Sequence, residues 1–354
     1  MSSILITGGC GFIGSNMACL LKQKYPAYNV VVLDNLKRRG SELNLPRLKD
    51  ADISFIHGDI RYKEDLPFGQ QFDFIIDAAA EPSVLAGVGS GLDYIIDTNF
   101  KGTLHTLELA VSCKAKLIFL STSRVYPIAY LDGLHYHETE TRFELNDQQD
   151  ITGVSKNGIG ENFPLDKARS VYGTTKLASE MMLQEYESFF GLEYVINRCG
   201  VVAGPYQMGK VDQGVITLWV ARHFWNKGLQ YIGYNGSGKQ VRDVLHVFDL
   251  FDLVDFEMHH FDIVKGQLFN AGGGYDVSVS LKELTEICAA TTGNKVEVVP
   301  VLETRQADIP WYITDNSKIT AATGWKPQRN IATIVTDIFS WIRGNEKELA
   351  KILK

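Results

Sequence analysis

Tyr172 and Lys176 stand four residues apart in the stretch SVYGTTKLASE, residues 170–180. On a helix this spacing places both side chains on one face. An ammonium group beside a phenol favours the phenolate and lowers the tyrosine pKa from its reference value of about 10. Such a tyrosine could take a proton from a substrate hydroxyl near neutral pH. The same spacing also occurs in ordinary amphipathic helices, so the pair needs support from the rest of the chain.

A further hydroxyl group follows an apolar, strand-like run at residues 117–120, where Ser121, Thr122 and Ser123 stand in succession. A hydroxyl at a strand end near a cofactor crevice could hydrogen-bond the substrate oxygen as that oxygen loses its proton. Taken alone, the segment is more simply a turn rich in serine and threonine. Because Tyr172 and Lys176 come later in the chain, we treat it as a candidate catalytic segment.

A glycine-rich segment, TGGCGFIG at residues 7–14, lies between a short apolar run and a helix-like segment. Its GxxGxxG spacing lets the backbone turn tightly, lets a pyrophosphate approach the helix N-terminus, and lets the helix pack on the strand. A glycine loop without a cofactor is the alternative, since the motif alone is a weak signal. We expect the cofactor to contact Gly8, Gly11, Phe12, Ile13 and Gly14.

Asp34 ends the next apolar run, twenty residues after Gly14. An acid at this place accepts hydrogen bonds from the adenosine ribose and repels a 2′-phosphate, which favours NAD over NADP. The basic residues 37–39 close behind it weaken this preference slightly. The apolar run 53–56 leads to Asp59, an acid that could meet the adenine. The run 74–76 leads to Ala78 and Ala79, small residues on which the dinucleotide could lie. The remaining expected NAD contacts are Asn35, Asp59, Ile60, Ala78, Ala79, Asn99, Tyr172 and Lys176.

Strand-like runs alternate with helix-like segments through the first half of the chain, which is typical of an α/β fold with a doubly wound parallel sheet of Rossmann type. Ligands of such sheets bind at the carboxyl ends of the strands. After residue 204 the sequence becomes richer in loops and polar residues. We therefore expect an NAD-binding domain at 1–204 plus about 240–275. A smaller α/β substrate-binding domain should comprise 205–239 and 276–345.

Composition excludes several classes of protein. The 354 residues carry a formal net charge of −7, which disfavours a protein that coats nucleic-acid phosphates. No apolar run of about 18 residues predicts a membrane span, and no basic segment precedes the first apolar run. The five cysteines are scattered, without CxxC or CxxH pairs, so we expect neither disulfides nor a metal site. These features favour a reduced cytoplasmic enzyme.

With these motifs together, the chain resembles the extended short-chain dehydrogenases/reductases, in the group of nucleotide-sugar epimerases and dehydratases. The resemblance rests on TGGCGFIG (7–14), the hydroxyl-rich strand end before Val125-Tyr126, YGTTK (172–176) and RCGVVAGP (198–205). It implies a triad of Ser or Thr, Tyr and Lys, with Thr122 in the first role and Ser123 as the fallback. Pro127 departs from the family pattern, which usually has glycine there, and about thirty residues, 140–169, extend the chain between the motifs.

Within the family, the segments 160–180, 197–214 and 236–246 resemble the branch of 2-epimerases that act on a CDP-linked sugar. The resemblance implies that Arg242 meets the substrate diphosphate and that an RxxD segment contacts the nucleotide. A guanidinium can bind phosphate oxygens in a bidentate manner, although a solvated surface arginine is the alternative. Two arginines could balance the diphosphate charge without a metal. The expected substrate contacts are Thr122, Glu81, Arg198, Gln213, Arg242, Arg305 and Asp308.

The implied reaction is a redox-neutral epimerisation at C2 through a 2-keto sugar, with NAD retained. A dehydratase of this family carries an acid pair after the strand-end Thr, where this chain has Ser123 and Arg124; Glu81 remains a possible unrecognised base. A net reductase, action on a UDP-, GDP- or dTDP-sugar, and a non-catalytic NAD sensor stay open as alternatives. The resemblance also implies a homodimer or homotetramer formed through the helices around 99–112 and 172–190.

Overall fold

The computed structural model describes residues 2–85, 91–209, 213–305 and 307–354. Their strands are β1 (Ser3–Thr7), β2 (Asn29–Asp34), β3 (Ser54–His57), β4 (Phe74–Asp77), β5 (Lys116–Thr122), β6 (Tyr136–Glu138), β7 (Phe143–Leu145), β8 (Val154–Ser155), β9 (Gly158–Ile159), β10 (Tyr194–Cys199), β11 (Val201–Ala203), β12 (Leu229–Ile232), β13 (Val241–His246), β14 (Gln267–Ala271), β15 (Ser278–Ser280), β16 (Val298–Val301) and β17 (Trp311–Tyr312).

Their helices are α1 (Phe12–Lys24), α2 (Leu45–Asp50), α3 (Asp93–Ile96), α4 (Gly102–Cys113), α5 (Ile128–Asp132), α6 (Val171–Phe190), α7 (Val215–Phe224), α8 (Val247–His259), α9 (Phe261–Val264), α10 (Leu281–Thr292), α11 (Ser317–Thr323), α12 (Ile331–Gly344) and α13 (Glu346–Leu353). Within the described ranges, no helix is long and apolar enough to cross a membrane.

The chain divides into two compact units. The first comprises 1–125, 171–198 and 251–269, and the second comprises 126–170, 199–250 and 270–354. This division places 126–170 in the second unit, whereas the sequence assigned that segment to the NAD-binding domain. The functional assignment of the two units remains a prediction.

The first unit is built around a seven-stranded sheet of order β14-β10-β5-β4-β1-β2-β3. The pairs from β5 to β3 run parallel, and the register places Thr7 opposite Asp77. Because helices cover a doubly wound sheet on both faces, its strands are continuous apolar runs; Ile4, Leu5 and Ile6 are fully buried. The strand order reverses between β1 and β4, which is where such sheets bind ligands. The predicted Rossmann-type α/β fold is confirmed.

The second unit holds smaller sheets. β11, β13 and β15 are neighbours with β17 on β13, and β12 pairs with β16. The segment 126–170 contributes two short hairpins, β6–β7 and β8–β9. Helix α7 packs on α10 and α12 through an apolar core that includes Trp219, Leu284 and Ile338.

Candidate active site and cofactor cradle

The glycine-rich turn connects β1 to α1 in the first unit. Gly8 has φ +64°, and a Cβ there would lie 2.8 Å from the Ala79 Cα. A Cβ on Gly14 would lie 2.4 Å from the Gly8 carbonyl oxygen, so both positions exclude a side chain. Gly11 precedes α1, and no side chain in the described structure caps that helix start. The first N–H groups of α1, at Phe12 and Ile13, can therefore receive a phosphate, and the turn fits the pyrophosphate of NAD.

Asp34 lies at the carboxyl end of β2 beside this turn. Its Oδ2 accepts the Cys10 N–H at 3.0 Å and its Oδ1 accepts the Leu36 N–H at 2.8 Å. Burial raises the pKa of Asp34, and these backbone donors act against that rise. The side chain is thus fixed in orientation at the strand end, as an acceptor for the ribose requires.

Asp59 and Ile60 follow β3, and the Asp59 carboxylate is enclosed by donors. Arg61 Nη2 lies 2.7 Å from its Oδ2, and Asn35 Nδ2 donates to the same oxygen at 2.9 Å. Burial alone would raise the pKa of Asp59, but the hydrogen bonds from Arg61 and Asn35 outweigh it and hold the pKa at about 2. The group is therefore a fixed anion, and its contact with adenine remains a prediction.

Ala78 and Ala79 follow β4, where the sequence predicted that small residues admit the dinucleotide. The structure gives them a second role, because the Gly8 Cα approaches their backbone too closely for any side chain on Gly8. The Ala79 N–H lies 3.3 Å from Thr7 Oγ1, and that hydroxyl donates to the fully buried Asp77 at 2.6 Å. Thr7 and Asp77 thus join β1 and β4 directly below the cradle.

Asn99 lies in a π-helical turn, Asp97–Lys101, and is fully buried. Its Oδ1 accepts the Glu81 N–H at 2.7 Å, and its Nδ2 donates to the Glu81 carbonyl at 3.0 Å. The Asn99 carbonyl accepts the Ser179 hydroxyl of α6 at 3.2 Å. Both the oxygen and the nitrogen of the Asn99 amide therefore hydrogen-bond to the backbone of Glu81. The predicted contact of Asn99 with NAD stays a prediction. The residue links the loop that carries Glu81 to α6, and the Glu81 side chain lies half-buried with Oε1 3.2 Å from the Ser83 N–H.

Helix α6 carries Tyr172 and Lys176, and both side chains are buried, with 8% and 2% of their surface exposed. The helix packs against β5 and against the turn Ser123–Val125 that follows it. Lys176 Nζ lies 3.9 Å from the centre of the Phe119 ring on β5, a cation–π contact that holds the ammonium against the sheet. The predicted one-face arrangement of the pair is therefore present on a helix.

Thr122 is the last residue of β5 and is buried, whereas Ser123 begins the turn and is half-buried. Thr122 Oγ1 accepts the Arg124 N–H at 3.1 Å. Because this contact uses a lone pair and leaves the hydroxyl hydrogen, Thr122 can still donate to a substrate oxygen. The structure places both hydroxyl candidates at the carboxyl end of β5, and the choice between them stays a prediction.

Sequence reasoning missed Glu180. It lies one helical turn beyond Lys176, so Tyr172, Lys176 and Glu180 share the i, i+4, i+8 face of α6. Its Oε2 lies 2.7 Å from Arg198 Nη2, and its Oε1 accepts the Ser121 hydroxyl at 2.5 Å. The two charged side chains are only 2% and 4% exposed. An acid at that spacing on the predicted catalytic face was the available signal.

Arg198 was expected to contact the substrate. In the structure its guanidinium is buried beside β10, with Nε 3.1 Å and 3.2 Å from the two Glu180 carboxylate oxygens. Two buried charges that pair in this geometry leave little of the guanidinium exposed to a substrate. The expected substrate contact of Arg198 stays a prediction, and we propose instead that Arg198 holds α6 against the sheet and positions Tyr172 and Lys176.

In the second unit, the structure brings three predicted substrate residues together. Arg242 Nη2 lies 3.1 Å from Asp308 Oδ1 and also donates to the Ile309 carbonyl at 2.6 Å. Asp308 and the half-buried Arg305 both line a cavity of about 580 Å³, a size suited to a nucleotide. Gln213 is half-buried just before α7 and is not among the residues that line this cavity; its contact with substrate stays a prediction.

Comparison with known proteins places this geometry in context. The family model described as "NAD dependent epimerase/dehydratase family" matches residues 4–272. The chain is 32% identical over 352 residues to the CDP-paratose 2-epimerase of Salmonella typhi, covering 96% of this chain and 98% of that protein.

Two solved structures support the fold. The dTDP-glucose 4,6-dehydratase of Bacillus anthracis in complex with NAD has a TM-score of 0.76 and 26% identity, with 98% of each chain covered. The UDP-glucuronic acid 4-epimerase of Bacillus cereus, in complex with UDP-glucuronic acid and NAD, has a TM-score of 0.79 at 23% identity, with 97% of this chain and 99% of that chain covered. The chain therefore belongs to the NAD-dependent epimerase/dehydratase family and is an epimerase-type enzyme that uses NAD.

Proposed function

We propose that the protein epimerises a nucleotide sugar at C2, converting CDP-paratose to CDP-tyvelose through a 2-keto sugar. The observation that carries the proposal is the buried face of Tyr172 and Lys176 on α6, packed beside the strand that ends in Thr122. Its substrate is suggested by the similarity to the CDP-paratose 2-epimerase of Salmonella typhi over nearly the whole chain. The first unit would bind NAD, and the second would bind the nucleotide sugar.

In this proposal Tyr172, as phenolate, takes the proton from the C2 hydroxyl and later returns it. Lys176 stabilises the phenolate, and its own charge is held against Phe119. Thr122, or Ser123 in its place, donates a hydrogen bond to the sugar oxygen. Bound NAD supplies a reversible hydride acceptor, so no free carbanion forms at an unactivated carbon. The ketone must turn over in the site between the two transfers, because inversion requires the hydrogen to return to the other face.

Dehydration is the principal rival, since dehydratases are among the related proteins. The positions after Thr122 that would need an acid pair hold Ser123 and Arg124. A hydroxyl and a guanidinium cannot remove a C5 proton and protonate the departing water in the way two carboxyl groups can. This difference favours epimerisation over dehydration.

The test incubates the purified protein with CDP-paratose and no added NAD, and follows the sugar C2 proton by NMR. We expect the C2 epimer to form, and Tyr172→Phe to abolish it while the matched variant Tyr186→Phe, on the same helix, retains it. Conversion that depends on added NADH would show a net reductase. No conversion would reject this substrate and direct the assay to UDP-, GDP- and dTDP-sugars. Full activity in Tyr172→Phe would reject Tyr172 as the base.

We further propose that the protein acts as a homodimer or homotetramer through the segments 99–112 and 172–190, which cover most of α4 and α6. On α6 three large apolar side chains are unusually exposed: Met181 by 61%, Phe189 by 75% and Phe190 by 60%. The Phe189 and Phe190 rings are neighbours, with centres 6.5 Å apart, and exposed apolar surface of this kind is typical of an interaction surface. Light scattering after size-exclusion chromatography should give two or four chains, and Met181→Glu combined with Phe189→Glu should give monomers; a monomeric wild-type protein would contradict the proposal.

A further inference from the structure

Four charged residues line the cavity of the second unit: Asp132, Arg169, Arg305 and Asp308. Of its charged lining residues, Asp308 pairs with Arg242, and Arg169 donates to the Lys167 carbonyl at 3.0 Å. Arg305 and Asp132 also line the cavity. Within the described ranges 2–85, 91–209, 213–305 and 307–354, neither of these two side chains has a hydrogen bond or an ion pair. Arg305, which is half-buried, and Asp132, which is exposed, are thus available to a ligand that offers an anionic group and a hydrogen-bond donor.

Asp132 is the less expected of the two. It ends α5 in the segment 126–170, and its side chain opens to the cavity. Desolvation raises its pKa and the neighbouring charge of Asp308 raises it further, while the positive charge of Arg242 acts in the opposite direction. A second anion at this position would be repelled, so the carboxylate cannot serve the diphosphate. It is suited to an N–H or O–H donor.

Two aromatic rings, Tyr136 and Tyr234, line the same cavity. Phe143 fixes both of them, with ring centres 4.8 Å from Tyr136 and 5.8 Å from Tyr234, and Phe143 is itself buried. Flat rings packed on a buried neighbour suit the stacking of a nucleobase. Burial raises the pKa of the Tyr234 phenol, which therefore stays neutral and adds no charge beside the base.

We propose that Asp132 reads the base of the substrate by accepting a hydrogen bond from the exocyclic amino group of cytosine, and thereby selects CDP-linked over UDP-linked substrates. The inference deepens the proposed function and rests on it. Cytosine presents an N–H₂ donor at position 4, where uracil presents a carbonyl oxygen. A carboxylate attracts the first and repels the second. Arg305, at the same cavity, would hold the diphosphate.

The experiment is calorimetric titration of the full-length protein with CDP and with UDP. We expect the wild-type protein to bind CDP at least about tenfold more tightly than UDP, the discrimination typical of one well-placed contact to a base edge. Asp132→Asn replaces an acceptor by a group that can also donate to the uracil oxygen. We expect its ratio of UDP to CDP dissociation constants to fall below about threefold, or to invert.

The matched control is Asp147→Asn, which removes an exposed carboxylate from the same segment and should leave the ratio unchanged. A wild-type preference for CDP that survives in Asp132→Asn overturns the role of Asp132 while leaving the proposed substrate in place. Equal weakening of CDP and UDP also overturns it, since Asp132 would then bind the ribose they share. A wild-type protein without a preference for CDP rejects the CDP-linked substrate itself, and the inference falls with it.

Discussion

The buried pair of Glu180 and Arg198 gives the most direct test of how the catalytic helix is held. Glu180→Gln removes the negative charge but keeps the shape, and it leaves the Arg198 guanidinium buried without a counter-charge. Breaking a buried ion pair from one side costs about 3–5 kcal/mol. Because both side chains are at most 4% exposed, solvent cannot relieve this cost. For a chain of this length we expect the melting temperature to fall by about 4–7 °C.

The assay is thermal and urea unfolding of five proteins: wild type, Glu180→Gln, and the three members of a mutant cycle, Glu180→Leu, Arg198→Met and Glu180→Leu/Arg198→Met. Replacing both partners with apolar side chains is often neutral for stability. We therefore expect the double variant to recover most of the loss, with a coupling energy above about 1 kcal/mol in the mutant cycle. Ser121→Ala, which removes only the hydroxyl partner of Glu180, should cost less than either single charge change.

The kinetic readout separates a positioning role from a substrate contact. If Arg198 acts through α6, Arg198→Met lowers kcat together with stability, and the double variant regains part of both. If Arg198 instead contacts the substrate, as the sequence suggested, Arg198→Met raises KM while the melting temperature stays within about 1 °C of wild type. That second result would refute the structural reasoning.

Three further predictions concern the cradle and two buried titratable groups. Gly14→Ala puts a methyl group 2.4 Å from the Gly8 carbonyl oxygen; we expect the purified variant to lose its bound NAD, and an unchanged NAD content by absorbance would contradict this. His246 accepts the Phe248 N–H at Nδ1, and its Nε2 lies 3.2 Å from Asp337 Oδ2. Burial, with the nearby charge of Arg329, lowers its pKa to about 4. Its contribution to stability, present above its unfolded pKa of about 6.5, should be lost as pH falls towards 4, by about 3 kcal/mol in urea unfolding; His246→Asn should flatten this dependence. Burial raises the pKa of Glu257 to about 8, so its contribution is present below its unfolded pKa and lost as pH rises towards 8. We therefore expect Glu257→Gln to raise the urea midpoint relative to wild type by more at pH 9 than at pH 5. The same difference between the two proteins at both pH values would show that Glu257 ionises freely in the folded state.

Features that follow from neighbouring residues were predictable from the sequence. The Ser280 hydroxyl accepts the Glu283 N–H while the Glu283 carboxylate accepts the Ser280 N–H, the capping box that a serine followed by a glutamate three residues later predicts. The glycine turn, the acid at the end of β2 and the shared face of Tyr172 and Lys176 belong to the same kind. In each, the order and spacing of residues along the chain carry the signal, even where the structure adds a distant contact such as that of Gly8 with Ala79.

Features that depend on distant partners were not predictable. The sequence suggested Arg198 as a substrate contact because nothing in its surroundings reveals its ion pair with Glu180, which lies on another element. Asn99 shows the same difficulty, since both polar atoms of its side-chain amide hydrogen-bond to the backbone of Glu81, eighteen residues away. An arginine or asparagine is recognised as available only when its tertiary neighbours are known.

The distribution of these residues along the chain has a consequence for specificity. Thr122, Tyr172 and Lys176, with the glycine turn, all belong to the first unit, whereas Asp132 and Arg305 belong to the second. A change of nucleotide can therefore arise in the segment 126–170 without altering the proton-transfer groups. Asp132→Asn should accordingly change the KM for different nucleotide sugars while kcat with a saturating substrate stays within about threefold of wild type, because uniform binding energy does not lower the barrier of the chemical step. A collapse of kcat with every nucleotide sugar would mean instead that Asp132 takes part in the chemistry.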